Sequence, residues 1–207
     1  MNSSRVRVKM CGMTRSEDIA CAVNLGVDAI GLIFYSKSTR FISIEQAKIL
    51  LRDLPAFVDS VAVLVNPERD LVQKIIEELP IQFLQFHGDE SAEFCQQFKK
   101  PFIKAIHADS AECIQQAARE FSMAHALLLD TPSTAARGGT GLVFDWKIIP
   151  KDIKPYILAG GIDESNVLKA TESCHPYAVD LCSGIEVSPG IKDHGKMSRF
   201  MQKLLNR

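Results

Sequence analysis

The chain has 207 residues, which is enough for one large domain or two small ones. Its 24 Lys and Arg residues nearly balance its 25 Asp and Glu residues, and the net charge of -1 argues against a dedicated nucleic-acid surface. No apolar run approaches the roughly 18 residues that span a bilayer, and cationic residues interrupt the N-terminus where a signal peptide would have its apolar core. We therefore expect a cytoplasmic protein with no membrane contact.

The first predicted strand ends at a cysteine that is followed at once by a glycine. Its β-branched residues alternate with cationic ones, and Gly12 after Cys11 lets the chain leave the strand. Thr14 and Glu17 then have the spacing of a capping box at the start of a helix. Cys11 is therefore predicted at the C-terminal end of a strand, where its thiol is partly exposed and electrostatically tuned. The alternative is a small buried plug, which is a common environment for free cysteine.

The same strand–helix unit repeats along the rest of the chain. Gly26 is predicted to end the first helix in the left-handed conformation, and Ser43 with Gln46 forms a second capping box. Asn66 and Pro67 are predicted to open the helix after the third strand. The second to eighth strands are predicted around residues 28–34, 60–65, 83–86, 102–106, 125–130, 156–159 and 178–182. They are apolar on both faces, as in parallel sheets that helices cover.

The region after the sixth strand departs from this pattern. It contains a glycine-rich loop at residues 138–141 and only a short helical stretch near Trp146. Eight strands nevertheless alternate with eight helical segments and no linker, which predicts an α/β protein with a single-domain (β/α)8 TIM barrel over residues 1–207. An open doubly wound sheet is the alternative, but it usually has a phosphate fingerprint after the first strand, and this sequence has none there.

The chemically distinctive residues follow the predicted strands at their C-terminal ends. In a (β/α)8 barrel these ends meet at one mouth, which is the reactive face. Glycines after the last three strands would aim backbone N–H groups at a phosphate, although each glycine alone also suits a tight turn. The candidates are Cys11, Arg40, His87, Asp130, Gly139, Gly141, Gly160, Gly161, Asp180, Ser183 and Gly184.

Each polar candidate has a chemical and a structural interpretation. Asp130 follows three leucines, which favours the protonated form that a general acid needs, or it caps the following turn. Asp180 hydrogen-bonds a sugar hydroxyl or Lys9. Arg40 clamps a substrate carboxylate or is solvated, and His87 orients the substrate or is structural. A thiol, a carboxyl and glycine loops that bind phosphate together indicate proton transfer on a phosphorylated small molecule by an isomerase or a lyase.

The six cysteines do not suggest a metal site. They are scattered without a C-x-x-C pair, which gives neither a zinc signature nor a redox dithiol. Cys174 and His175 are adjacent, but neighbouring side chains point in different directions and no partner pair is evident. In the cytosol we expect all of these thiols to stay reduced.

Short motifs from about Val6 to the C-terminal helix resemble, in the same order, those of the phosphoribosylanthranilate isomerase family of tryptophan biosynthesis. The motifs are Lys9-Met10-Cys11-Gly12-Met13-Thr14, Gln85-Phe86-His87-Gly88, Gly138-Gly139-Thr140-Gly141 with Phe144-Asp145-Trp146, Leu158-Ala159-Gly160-Gly161, Ser183-Gly184-Ile185-Glu186 and Pro189-Gly190-Ile191-Lys192-Asp193.

The resemblance implies an intramolecular oxidoreductase that carries out an Amadori rearrangement of N-(5-phosphoribosyl)anthranilate. It implies Asp130 as the general acid on the ribose ring oxygen and Cys11 as the general base on C2. Arg40 would hold the anthranilate carboxylate, and the glycines would hold the phosphate. Lys9 is a hypothetical source of the charge that turns the thiol into a thiolate. The family needs no metal or organic cofactor, takes a small phosphorylated substrate rather than a nucleic acid or membrane, and occurs as a monomer or homodimer.

Three positions depart from the family's usual residues. Met10 replaces isoleucine, a change that the core should tolerate. Thr39 replaces proline, which puts the geometry of the loop that carries Arg40 in question. Cys182 replaces serine, which predicts that a hydroxyl on the phosphate side is missing.

Two other classes of protein stay open from the sequence. One is a different barrel enzyme, either indole-glycerol-phosphate synthase, which would need a catalytic lysine and glutamate, or a sugar-phosphate epimerase, which usually needs a metal or paired aspartates. Cys11 with Asp130 fits neither set well. The other class is a non-catalytic barrel that only binds a phosphorylated ligand, and it would tolerate the loss of both side chains.

Overall fold

Eight parallel strands close into a barrel in the computed structural model, which describes residues 5–130, 145–153 and 155–205. Each strand pairs with the next along the chain, and the eighth pairs with the first. The strands are β1 (Arg7–Cys11), β2 (Ala29–Ile33), β3 (Asp59–Leu64), β4 (Phe83–Phe86), β5 (Phe102–His107), β6 (Ala126–Asp130), β7 (Tyr156–Leu158) and β8 (Ala178–Leu181). The predicted (β/α)8 TIM barrel is confirmed.

Helices cover the outside of the barrel between most of the strands. They are α1 (Ser16–Asn24), α2 (Ile44–Leu51), α3 (Arg69–Glu78), α4 (Ala92–Gln96), α5 (Ala111–Glu120), α6 (Val167–Cys174) and α7 (His194–Leu205). Before β7 the described residues contain a short 3-10 turn, Trp146–Ile148, as predicted. The candidates Gly139 and Gly141 lie outside the described residues. No helix in the described part of the chain is long and apolar enough to cross a membrane.

A small hairpin follows β8 and was not predicted. A 3-10 turn, Ser183–Ile185, leads into β9 (Glu186–Ser188), which pairs antiparallel with β10 (Ile191–Lys192). The hairpin brings two charged side chains, Glu186 and Lys192, to the mouth of the barrel, where both are buried.

Successive strand residues face two different apolar cores, because side chains alternate across a strand. The larger core lies between the strands and the helices, and it includes Met10, which is fully buried there. The smaller core fills the barrel and consists of Val61, Ile103, Ala105, Ala126, Leu128, Ile157, Ala159 and Ala178. Since Ala178 faces the interior, Asp180, two residues later on β8, faces it too.

Two predicted helix starts are wrong, for the same physical reason. Thr14 does not cap α1 but donates its hydroxyl to the carbonyl of Gly190, so α1 has no side-chain cap. Asn66 does not cap α3 but accepts the backbone N–H of Asp89 at 2.7 Å. In both places a partner far along the chain takes the oxygen that the local pattern assigned to a cap.

Two other helix boundaries confirm the local prediction. Ser43 accepts the backbone N–H of Gln46 at 3.1 Å, and the Gln46 side chain accepts the N–H of Ser43 at 2.8 Å. Gly26 follows α1 with φ +79°, the left-handed conformation that glycine adopts most easily. Local patterns therefore predict a boundary well where no distant group competes for it.

A buried ion pair on the outer side of β5 gives a prediction about stability. Lys104 Nζ lies 3.2 Å from Glu90, and the two side chains are 4% and 2% exposed. Lys104→Met is expected to lower the free energy of unfolding by about 3–5 kcal/mol, because it leaves the Glu90 carboxylate buried without its cation. Urea unfolding followed by circular dichroism measures the change. The matched control is Lys48→Met, which removes exposed pairs with Glu45 and Glu78 and should change little. An effect of Lys104→Met no larger than that of the control would contradict the prediction.

Candidate active site

Cys11 ends β1 at the mouth of the barrel, as predicted, but its side chain is not partly exposed. The residue is 5% exposed and faces Gly31, its neighbour on β2. A Cβ atom at Gly31 would lie 2.7 Å from the Cys11 sulfur and 3.1 Å from Lys9 Nζ. Gly31 therefore leaves the room that the thiol and the ammonium occupy. Gly31 was not among the predicted site residues, although a glycine inside an apolar strand is itself a sign of close approach.

Lys9 and Asp180 form an ion pair inside the barrel, below the Cys11 thiol. They are register partners on β1 and β8, and Lys9 Nζ donates to Asp180 Oδ1 at 2.9 Å. This is the lysine alternative that the sequence left open for Asp180. Burial raises the pKa of Asp180 to about 7, against the opposing effect of Lys9. Burial alone would lower the pKa of Lys9, but Asp180 and Cys11 raise it, so Lys9 keeps its charge at neutral pH.

Cys182 directly follows β8, the strand that pairs with β1 on the side opposite β2. A Cβ atom at Gly12, directly after Cys11, would lie 3.1 Å from the Cys182 sulfur, so the Cys182 side chain packs against the end of the Cys11 segment. Cys182 is the largest cause of a pKa of Cys11 well below the ordinary thiol value. Burial opposes this, and Lys9 and Lys192 add to the lowering. The residue that departs from the family's usual serine therefore faces the thiol.

Lys192 joins the ends of β1 and β8 to the start of β9. It is 2% exposed, and its Nζ donates to the carbonyl of Cys11 at 2.5 Å and to the carbonyl of Cys182 at 3.2 Å. It also donates to Glu186 at 2.8 Å. Lys192 belongs to a family motif, but no role was predicted for it, because the hairpin that carries it was not predicted.

Arg40, in the loop after β2, is neither solvated nor isolated. Its Nε and Nη2 atoms donate to the two carboxylate oxygens of Glu186 at 2.8 and 2.5 Å. This hydrogen bonding raises the pKa of Arg40, so the guanidinium stays charged. The pair uses part of the planar fork, and further N–H donors of the guanidinium stay available for a ligand. In the loop that contains Thr39, the backbone N–H of Arg40 donates to the Ser38 hydroxyl at 3.1 Å.

His87 and Asp130 lie side by side at the ends of β4 and β6. His87 Nε2 is 3.2 Å from Asp130 Oδ2, and the amide nitrogen of Gln85 is 3.0 Å from His87 Nδ1. Both ring and carboxyl are partly open to the mouth, with side chains 27% and 28% exposed. The apolar wall expected beside Asp130 is therefore interrupted by an imidazole. Gln85, which the sequence analysis quoted only within a motif, holds that ring in position.

The glycines after β7 and β8 lie where the sequence analysis expected them. Gly160 and Gly161 follow β7 with φ values of +74° and +68°. Gly184 belongs to the 3-10 turn that Ser183 begins, and a Cβ atom there would lie 2.5 Å from the carbonyl oxygen of Ile162. The loops after β7 and β8 therefore pack against each other with room for glycine alone.

Cys174 and His175 lie away from the mouth, at the end of α6, where His175 takes a left-handed conformation. Within the described ranges, no group of three or more His, Cys, Asp or Glu side chains is arranged to hold a metal ion.

The sequence model of one family matches nearly the whole chain. That family is described as N-(5'phosphoribosyl)anthranilate (PRA) isomerase, and the match covers residues 8–203. The chain belongs to this family. The resemblance found in the motifs is therefore confirmed.

Named relatives and solved structures agree with this membership. The chain is 67% identical over 205 residues to N-(5'-phosphoribosyl)anthranilate isomerase of Legionella pneumophila strain Corby, covering 99% of each protein. It is similar to the crystal structure of phosphoribosyl anthranilate isomerase from Thermotoga maritima, with a TM-score of 0.90 and 35% identity, covering 98% of this chain and 100% of the other.

A further structure of phosphoribosyl anthranilate isomerase was solved in complex with reduced 1-(o-carboxyphenylamino)-1-deoxyribulose 5-phosphate. The chain matches it with a TM-score of 0.84 and 32% identity, covering 98% of this chain and 100% of that one.

Proposed function

We propose that the chain catalyses the Amadori rearrangement of N-(5-phosphoribosyl)anthranilate to 1-(2-carboxyphenylamino)-1-deoxyribulose 5-phosphate in L-tryptophan biosynthesis. The reaction is an intramolecular oxidation–reduction, since C2 of the sugar is oxidised while C1 is reduced. The observation that carries the proposal is a buried thiol of lowered pKa, Cys11, at the same barrel mouth as the partly open carboxyl of Asp130. An acid and a base at one mouth suit proton transfer to one atom of a small sugar and from another.

Asp130 is the general acid of the first step. It gives its proton to the ring oxygen of the ribose while the bond from that oxygen to C1 breaks. The lone pair of the anthranilate nitrogen forms the second bond to C1, which leaves an iminium ion. His87, with Nε2 at 3.2 Å, orients the Asp130 carboxyl for this transfer.

Cys11 is the general base of the second step. Its thiolate takes the proton from C2, and the electron pair of that C–H bond forms the double bond between C2 and C1 as the iminium nitrogen is neutralised. The resulting enolamine gains a proton at C1 and loses the proton of its C2 hydroxyl to solvent, which leaves a ketone at C2. Lys9 and Lys192 favour the thiolate because both ammonium groups lower the pKa of Cys11.

The substrate is held by charges and backbone amides around the mouth. Arg40 donates to the anthranilate carboxylate with the guanidinium N–H groups that Glu186 does not use. Asp180, whose Oδ1 atom accepts from Lys9, uses Oδ2 to accept a sugar hydroxyl. The phosphate is bound by backbone amides of the residues Gly139, Gly141, Gly160, Gly161, Ser183 and Gly184.

The remaining expectations belong to the same proposal. Residues 1–207 act as one domain with the active site at the C-terminal ends of the strands, as a cytoplasmic monomer or homodimer that uses no cofactor. Six reduced thiols suit a reducing compartment.

Turnover of freshly generated N-(5-phosphoribosyl)anthranilate tests the proposal. The chain should speed the loss of the substrate's fluorescence well above its spontaneous decay, and chromatography should identify the ketose product. Binding of the reduced product without any acceleration of the reaction would reject the proposal, and would leave a barrel that only binds phosphorylated ligands.

A further inference from the structure

The two thiols at the mouth meet because of the register between β1 and β8. Lys9 and Asp180 are register partners, and their side chains touch inside the barrel. Cys11 and Cys182 stand two residues further along the same two segments. Side chains two residues apart share a face, and neighbouring strands run about 4.8 Å apart. Both side chains are therefore directed into the mouth from adjacent segments, side by side.

Backbone contacts also hold the strand ends that carry Cys11 and Cys182 next to each other. Lys192 donates to the carbonyl groups of both Cys11 and Cys182, and so joins the two strand ends. Gly12, directly after Cys11, approaches the Cys182 sulfur so closely that a Cβ atom would lie 3.1 Å from it. These contacts hold the backbones that carry the two thiols next to each other.

Several charged and titratable groups surround the Cys11 sulfur from the packed elements. They are Lys9 on β1, Asp180 and Cys182 at β8, Lys192 on β10 and Arg40 after β2. The cations lie on the strands and in the loop, and their charges favour a thiolate at Cys11. Cys182 differs from them because it is a neutral group with a proton to donate.

We propose that Cys182 is a positioning residue, whose S–H group donates a hydrogen bond to the Cys11 thiolate and holds that sulfur toward the substrate. The inference deepens the proposed function and rests on the role of Cys11 as the base. A hydrogen bond to the charged form of a group favours that form, and a thiol is a weak donor while a hydroxyl is a stronger one. Serine at this position should therefore preserve the effect, and alanine should abolish it.

The test is the pH dependence of Cys11 alkylation by iodoacetamide, followed by peptide mass spectrometry without substrate. In Cys182→Ala the midpoint should rise by about one pH unit, as expected for a lost hydrogen bond to a charged group. In Cys182→Ser it should stay at or below the wild-type midpoint. An unchanged midpoint in Cys182→Ala would overturn the proposal. Because no turnover is measured, this result is independent of whether the isomerase reaction is correct.

The pH dependence of turnover distinguishes a positioning role from a merely structural one. If the isomerase reaction takes place, Cys182→Ala should lose more of kcat at pH 6 than at pH 9, where Cys11 ionises without help. A loss that is equal at both pH values would show a packing defect instead and reject the positioning role.

Disulfide trapping in the unmodified chain tests the contact without any variant. Diamide takes up two hydrogens as two thiols lose them and form an S–S bond, and Cα atoms of register neighbours are within the range that a disulfide spans. Mass spectrometry of digested protein should find the link between Cys11 and Cys182. Links of Cys11 only to other cysteines, or no link at all, would overturn the proposal.

Discussion

Asp130→Asn is expected to lower kcat by at least about a hundredfold, the usual scale for a lost general acid. The amide cannot give a proton to the ribose ring oxygen, so ring opening would depend on water. Its shape is close to that of the carboxyl, and it can still hydrogen-bond the ring of His87, so the mouth should keep its geometry. Single-turnover loss of substrate fluorescence measures the chemical step.

The matched control makes the same chemical change at the opposite end of the barrel. Asp59 begins β3, away from the mouth, and Asp59→Asn should leave kcat within a few fold of the wild type. An Asp130→Asn variant as active as this control would remove Asp130 from the mechanism. The reaction would then need another acid, and His87, at 3.2 Å, is the group to test next.

Cys11→Ser is expected to cause a loss of similar size, at least about a hundredfold in kcat. A serine hydroxyl is far less acidic than a thiol, so the cations that favour a thiolate cannot produce an alkoxide near neutral pH. Binding of the reduced product should change little, because oxygen is smaller than sulfur and leaves the pocket open. Fluorescence turnover and a binding titration together separate the two effects.

Cys21→Ser is the control for this change. Cys21 lies on α1, outside the barrel, and is partly exposed, so its replacement should preserve turnover. If Cys11→Ser retained turnover like that of Cys21→Ser, the base would have to be a different group. If it lost binding of the reduced product as well, Cys11 would be a substrate contact rather than a base.

The barrel and the location of its mouth could be predicted from the sequence because they follow from local patterns. Apolar runs of strand length alternate with helical patterns, and parallel strands bring their C-terminal ends to one side. Cys11, Asp130 and Asp180 were therefore found as residues at strand ends without knowledge of their neighbours. The pair of Lys9 and Asp180 was predicted too, as one of two alternatives for the Asp180 carboxylate.

The contacts that tune the site could not be predicted, because they join residues far apart in the chain. Arg40 and Glu186 are separated by 146 positions, and Thr14 and Gly190 by 176. Neither pair has a local signal, and both depend on the short hairpin of β9 and β10, which has too few residues for a periodic pattern. Cys182 was noted as unusual, but its direction depends on the register between β8 and β1.

The described residues include part of the predicted phosphate site. Gly160, Gly161 and Gly184 adopt the turns and close approaches that the sequence suggested. Gly139 and Gly141 lie outside the described residues, so their part in phosphate binding stays a prediction. Both glycines lie within residues 8–203, which the family's sequence model matches.

The transfer of a proton from C2 to Cys11 is the central step, and running the reaction in D2O tests it most directly. If the thiolate removes that proton and the enolamine later gains one at C1, NMR of the product should show solvent deuterium at C1. Product that forms at the full rate with the hydrogen of C2 moved intact to C1, and no deuterium there, would contradict proton transfer and indicate a direct hydride shift between the two carbons.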